Sequence, residues 1–349
     1  MEAPEYVLCD EPAVRENLLP LTYTRPISAL RLGITTIQEK WEAQLGEKCA
    51  VRVAVDYLEE KYPDLSAKGA KELAANEVPG VGVIEHVYDI FLLNAKAIEA
   101  DYDRITAGRT SQPLSPTCTV IGDARRIFIE EGASVEGAFL NTKEGPVYIG
   151  RDAVIMEGSC LRGPIAVCEH AQVNMGAKIY GGTTIGPWCK VGGELSNVVM
   201  QGYSNKAHDG YLGNAVIGEW CNIGAGCTAS NLKNDYTPIK LWNYPAQRFL
   251  PTGLQFCGVI MGDHTKCGIN TMLNTATTLG VGVNIHGSGF PRPFVASFCE
   301  SSAGGYVDVS LAKFFDIASR MMARRGITLT DADRRIFEAI RLRAENYRY

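Results

Sequence analysis

IGRDAVIMEGSCLRGPIAVCEHAQVNMGAKIYGGTTIGPWCKVG, residues 149–192, carries an apolar residue at every sixth position. Ile149, Ile155, Leu161, Val167, Val173, Ile179, Ile185 and Val191 are eight consecutive anchors without a gap. Six matches neither the 3.6-residue period of a helix nor, with one anchor per repeat, a simple strand alternation. Repeats of this kind build parallel β-helices, in which each short flat strand packs on its equivalent one coil away. Glycine follows the anchor in Ile149-Gly150, Ile185-Gly186 and Val191-Gly192, as corners between flat faces require.

Outward from this stretch the rhythm stops and restarts. It resumes at Leu212, Ile217 and Ile223, and again at Met261, Cys267, Leu273, Leu279 and Ile285. Two segments break it, 193–211 and 231–257. Both are expected to leave the solenoid as loops, where binding residues commonly sit. Glycine counts divide the chain further: 6 in residues 1–118, 29 in 119–305 and 1 in 306–349. Three units follow: a small α/β domain (1–118), the β-helix (119–305) and a helical tail (306–349).

The tail has apolar residues at helical spacing, from Leu311 through Phe314, Phe315 and Ala318 to Met322, with Gly326 placed to end the helix. A second run starts after Thr330, with Ile336, Phe337 and Ile340 on its apolar face. Its 9 Lys and Arg exceed its 6 Asp and Glu, which suits a cap over the last coils or a basic rim for a phosphorylated ligand. In the N-terminal unit, VLCDE and CAVRVAV (49–55) read as strands. Residues 28–44, 57–62, 67–76 and 89–105 read as helices.

Composition narrows the function. The chain has 349 residues, 34 Lys and Arg against 39 Asp and Glu, and a net charge of -5. That argues against a nucleic-acid footprint, which usually shows as a basic patch or domain. No apolar run approaches the ~18 residues of a membrane span, and MEAPEYVLCDEP is not a secretory signal. Eleven scattered cysteines without CxxC pairs suit a reducing cytoplasm and argue against a metal site. Cys221 and Cys267 read as small core fillers.

Three motifs carry a resemblance. His208-Asp209-Gly210-Tyr211-Leu212-Gly213, Asn222-Ile223-Gly224-Ala225-Gly226 and Ser230-Asn231-Leu232 resemble the acetyltransferase half of the bifunctional enzymes that make UDP-N-acetylglucosamine. GYSNKAHDGYLGNAVIGEWCNIGAG, SNLKND, MGDHTKCGINT and LLPLTYTRPISALRLG (18–33) are similar to a sugar-nucleotidyltransferase-like family that shares this β-helix. The resemblance implies a mainly β fold: a left-handed parallel β-helix of hexapeptide repeats with a reduced nucleotidyltransferase-like N-terminal domain. It also implies a homotrimer, acetyl-CoA as acyl donor, and a sugar phosphate or nucleotide sugar as partner.

Residue by residue, His208 matches the family's general base, a suitable group for deprotonating an amine near neutral pH. Tyr211, Asn222 and Asn231 match acceptor contacts, and Lys206 joins them as a substrate-loop candidate. Gly224, Ala225 and Gly226 are small enough for an acyl-donor arm to approach the backbone. Lys206, Asp209 and His264 also read as ordinary polar loop residues, and Asn222 and Asn231 as turn or ladder asparagines. The chain departs from the pattern at Leu232, where the family has tyrosine, at Ser196, where a phosphate-holding lysine falls, and near Asp263, where a donor-contacting serine falls.

The nucleotidyltransferase resemblance implies a triphosphate held by backbone amides and cations, with Mg²⁺ on carboxylates. CDEPAVRENLLPLTYTRPIS has no glycine, and Ile27 stands where a lysine would. Arg15, Arg25 and Arg31 remain as candidate phosphate contacts or scaffold residues. Three functions follow as expectations: an acyl-CoA-dependent sugar acyltransferase, a sugar-1-phosphate nucleotidyltransferase, and a non-catalytic scaffold that binds sugar nucleotides.

Overall fold

The computed structural model describes residues 3–302 and 305–348. Its centre is a parallel β-solenoid with three faces, and the six-spaced anchors all point inward. On face A, Val135, Ile155, Val173 and Val191 stack coil on coil. Leu140, Leu161, Ile179 and Leu195 do so on face B, and Ile129, Ile149, Val167 and Ile185 on face C. All are buried in one continuous core. Burying a Val, Leu or Ile side chain is worth about 1.5–3 kcal/mol, so the repeated column supplies the solenoid's cohesion.

One expected loop is absent. Residues 193–211 stay in the solenoid wall, where Glu194–Gly202 pairs in parallel with Tyr211–Glu219 across two faces. The rhythm breaks there because the coils shorten: Val191 stacks on Lys206, 15 residues on, where Val173 to Val191 is 18. The segment 231–257 does leave the wall, as a hairpin of Lys240–Asn243 with Arg248–Pro251.

The corner between faces C and A has its own pattern. Asp152, His170, Trp188, Tyr203, Trp220 and His264 occupy equivalent turns, all with φ between 54° and 61°. Left-handed backbone is costly for bulky residues. Ring stacking offsets the cost: His170 lies 4.3 Å from Trp188, Tyr203 4.3 Å from Trp220, and Trp220 6.1 Å from His264.

The N-terminal unit is built around three parallel strands, Cys49–Arg52, Tyr6–Cys9 and Lys71–Ala74. The last of these corrects the helix expected over 67–76. A single 3-10 turn, Asp56–Leu58, begins at the next expected helix, over 57–62. A short helix α1 (Pro12–Asn17) follows the first strand. Helix α2 occupies only Ile37–Leu45 of the 28–44 stretch, because the Thr36–Glu39 capping box sets its start.

Helix α3 (Asp89–Thr106) lies along face C. Its Asn94 donates to the Gly182 carbonyl (2.7 Å) and its Asp101 accepts from the Ile34 (2.8 Å) and Thr35 (3.0 Å) amides. Gly33 allows that approach, since a Cβ there would sit 2.7 Å from the Ala97 carbonyl carbon. Val199, Val216 and Ile260, outward on face C, share a core with Leu8, Ile27, Ile90 and Phe91.

Helices α4 (Leu311–Ala323) and α5 (Asp331–Ala344) cap the far coils through Phe314, Ile336, Phe337 and Ile340. Asp333 of α5 also pairs with Lys61 at 2.8 Å, tying the tail to the N-terminal unit. Among the described residues no helix is long and apolar enough to cross a membrane.

Candidate functional site

His208 sits on the corner between faces A and B and is exposed. Strand register puts it two residues past the inward Lys206, in a column with Met175, Gly193, Ala225 and Ile269. Its immediate neighbours in that column, Gly193 and Ala225, have almost no side chain. Met175 (70% exposed) and Ile269 (73% exposed) stand two coils away on either side. Gly226 closes the turn with φ 71° and donates its amide to the Asp209 carbonyl at 2.9 Å. Gly224 packs so closely on the next coil that a Cβ would lie 2.7 Å from the Gly268 carbonyl carbon.

Tyr211 and Asn231 come together on face B. A Cβ on Gly213 would meet the Tyr211 hydroxyl at 2.2 Å and the Asn231 amide nitrogen at 2.6 Å, so both side-chain ends lie over this glycine. Asn231 Nδ2 donates to Asn214 Oδ1 at 2.8 Å. Burial pushes the Tyr211 phenol above its ordinary value. Asn222 lies on face A, paired with Asn205 on one side and Lys266 on the other. The histidine corner therefore separates the two asparagines.

Lys206 requires a correction. It occupies an inward anchor position on face A and is fully buried. Its ammonium donates to the carbonyls of Gly192 (3.3 Å) and His208. Burial lowers its pKa from the usual lysine range. The side chain supports the turn that carries His208 and faces no substrate loop.

The three N-terminal arginines separate as well. Arg15 is an internal strut, paired with Asp10 at 3.3 Å and donating to the carbonyls of Thr22 and Arg25. Both Arg15 and Asp10 are buried, so Arg15 is not free to meet a phosphate. Arg25 is buried against Asp263 and Glu219 (3.0 Å), and Thr24 Oγ1 donates to the same Asp263 carboxylate at 2.6 Å. The TYTRP and MGDH segments thus close on each other. Arg31 is half-buried, bonds to the Ile34 carbonyl, and lines a cleft of about 330 Å³ with Glu39, Glu130 and Arg151.

His264 is buried among Trp220, Phe314 and Phe337. Desolvation, and then the nearby Lys266, Arg25 and Lys61 charges, push its pKa well below the usual imidazole value. Cys221 and Cys267 are buried fillers, and burial pushes the Cys221 thiol up to about 12.

Residue-type reasoning missed a second cleft, of about 530 Å³, between face A and the end of α4. Lys190, Asn205, Asn222 and Lys266 line its floor, and Arg320, Arg324 and Arg325 its opposite wall. The signal was present. Lys190 immediately precedes the anchor Val191, and Lys266 precedes Cys267, as Asn222 precedes Ile223.

Residues 6–76 match the model of a family described as sugar nucleotidyl transferase, in line with the N-terminal resemblance. No curated protein sequence matches the chain. Among solved structures, the acetyltransferase domain of PglB from Neisseria gonorrhoeae FA1090 is 9% identical, with a TM-score of 0.18, covering 87% of this chain and 100% of that one. PerB from Caulobacter crescentus, solved with CoA and GDP-perosamine, is 10% identical with a TM-score of 0.14, covering 87% and 97%. Scores that low bear on neither the fold nor the activity of this chain.

Proposed function

We propose that the protein is an acyl-CoA-dependent acyltransferase acting on an amino sugar or sugar phosphate, with His208 as general base. The observation that carries this reading is an exposed imidazole on a corner flanked by the small residues Gly193 and Ala225, its turn supported by the buried Lys206 ammonium. His208 takes the proton as the acceptor amine attacks the thioester carbonyl, and returns it to sulfur as the C–S bond breaks, so that CoA leaves as its thiol. Ala225, beside His208, would let the donor arm come close to the backbone, whereas Gly224 and Gly226 make room for Gly268 and Asn270 of the next coil. Tyr211 and Asn231 would orient the acceptor on face B. A homotrimer with its sites between chains is part of this reading.

The test is free CoA thiol appearing from acetyl-CoA with a panel of amino-sugar phosphates. His208→Ala should lower kcat by ~10²–10⁴, the usual worth of acid–base catalysis, with little change in KM. If no acceptor in the panel releases CoA, His208 is a binding residue at most.

The match over residues 6–76 favours a second reading, sugar-1-phosphate nucleotidyl transfer. Against it, strand Tyr6–Cys9 runs almost directly into α1, capped by Glu11, and offers no glycine loop to wrap a triphosphate. Mg²⁺-dependent pyrophosphate release from UTP or dTTP with a hexose 1-phosphate would reverse that order of preference.

A further inference from the structure

The cleft between face A and the end of α4 is lined by five cations and no carboxylate. Four of them, Lys190, Lys266, Arg324 and Arg325, have no carboxylate partner among the described residues; Arg320 pairs with Asp316 at 2.9 Å. This concentration of positive charge stands in a chain of net charge -5. Like charges facing one another across a cleft are unfavourable unless something neutralises them, and a polar anion does so.

The floor of the cleft is regular. Lys190, Asn205, Asn222 and Lys266 are outward residues on successive parallel strands of face A. Strands lie about 4.8 Å apart, so the two lysine backbones are about 14 Å apart with two amides between them. The row is longer than one phosphate and presents charge at its ends and hydrogen-bonding amides at its middle. Among the described residues two buried polar atoms, Asn205 Oδ1 on the floor and Arg325 Nε on the opposite wall, lack partners, one an acceptor and the other a donor. The carbonyl end of α4 opposes an anion only weakly and within its last turn, where Arg320, Arg324 and Arg325 outweigh it. A volume of about 530 Å³ lies in the range of small-molecule sites.

We infer that this cleft binds a phosphorylated sugar. Lys190, Lys266 and the α4 arginines hold the phosphate, and Asn205 and Asn222 take sugar hydroxyls. The site stands on its own geometry, on face A, across the His208 corner from the acceptor position proposed on face B.

Calorimetric titration of the full chain with glucose, inorganic phosphate, glucose 1-phosphate and UDP-glucose tests this. Glucose 1-phosphate or UDP-glucose should bind at least about tenfold tighter than glucose and weaken as salt is raised, because charge-assisted contacts dominate. Whichever binds tighter identifies the source of the phosphate. A Lys190→Gln/Arg324→Gln double variant should lose about tenfold or more in affinity for it. In the unsubstituted protein, the same ligand should shield Lys190 and Lys266 from amine-directed acetylation, a readout that needs no variant.

Phosphorylated sugars binding no better than glucose, or no shielding of either lysine, overturns the site. Inorganic phosphate binding as tightly as glucose 1-phosphate overturns the sugar half of the assignment. Absence of CoA release would leave all these affinities intact, so the two proposals fail separately.

Discussion

The solenoid and the N-terminal unit reach their folded states by different routes. In the solenoid every coil repeats one local solution, an inward apolar residue stacked on its equivalent, so each coil is stabilised by its neighbours. The N-terminal unit has a sheet of three short strands and completes its core with Val199, Val216 and Ile260 from the solenoid wall. One region is cohesive by repetition and the other by docking. A substitution in the first should therefore propagate along the axis, whereas one in the second should loosen a joint.

The largest effect should come from Val173→Asp. Val173 is fully buried between Ile155 and Val191, and an unpaired carboxylate there costs several kcal/mol besides the lost packing. Total domain stability is only about 5–15 kcal/mol, so the variant should show no cooperative melt by circular dichroism. A soluble variant with a normal melt would mean that the repeat tolerates interior charge.

Next in size is Arg25→Ala, which leaves the Asp263 and Glu219 carboxylates without their cation at the joint. Breaking a buried pair costs about 3–5 kcal/mol, and chemical denaturation should separate loss of the N-terminal unit from loss of the solenoid. A single unshifted transition would show that apolar docking alone fixes the unit.

The smallest effect concerns pH. His264 is held neutral in the folded chain by burial, with its pKa well below 6.5. The unfolded chain then binds the extra proton, so stability is complete above about pH 6.5 and declines as pH falls below it. The slope is about 1.4 kcal/mol per pH unit until the folded pKa is reached. The lowered carboxylates, such as those of Glu130 and Asp333, act only further down. His264→Asn keeps a residue tolerant of the left-handed backbone, and should flatten the slope between pH 6.5 and 5.5. An unchanged slope would assign it to another group.

The period of six made the three faces legible because an inward residue is a local, one-letter signal. Lys206 escaped it, since a lysine at an anchor position looks like a loop residue until its ammonium is found on two carbonyls. Residues 193–211 were misread for a related reason, because a shortened coil changes the spacing without changing the fold. Lys71–Ala74 has helix-favouring side chains, and pairing with Tyr6–Cys9 overrides that preference. At the candidate site, Tyr211 and Asn231 were legible as a pair from a motif. The excess of basic residues in the tail was also visible, but its meeting with Lys190 and Lys266 depends on where α4 docks, which no local pattern encodes.

The stacked corner has an optical consequence. Trp188 lies 4.3 Å from the His170 ring, and Trp220 is sandwiched between Tyr203 and His264. Tyrosine passes excitation to a nearby indole, so Trp220, which lines the α4 cleft with Tyr203, is lit partly through its neighbour. The ladder that relieves a strained backbone thus doubles as a built-in fluorophore that senses whatever enters the cleft.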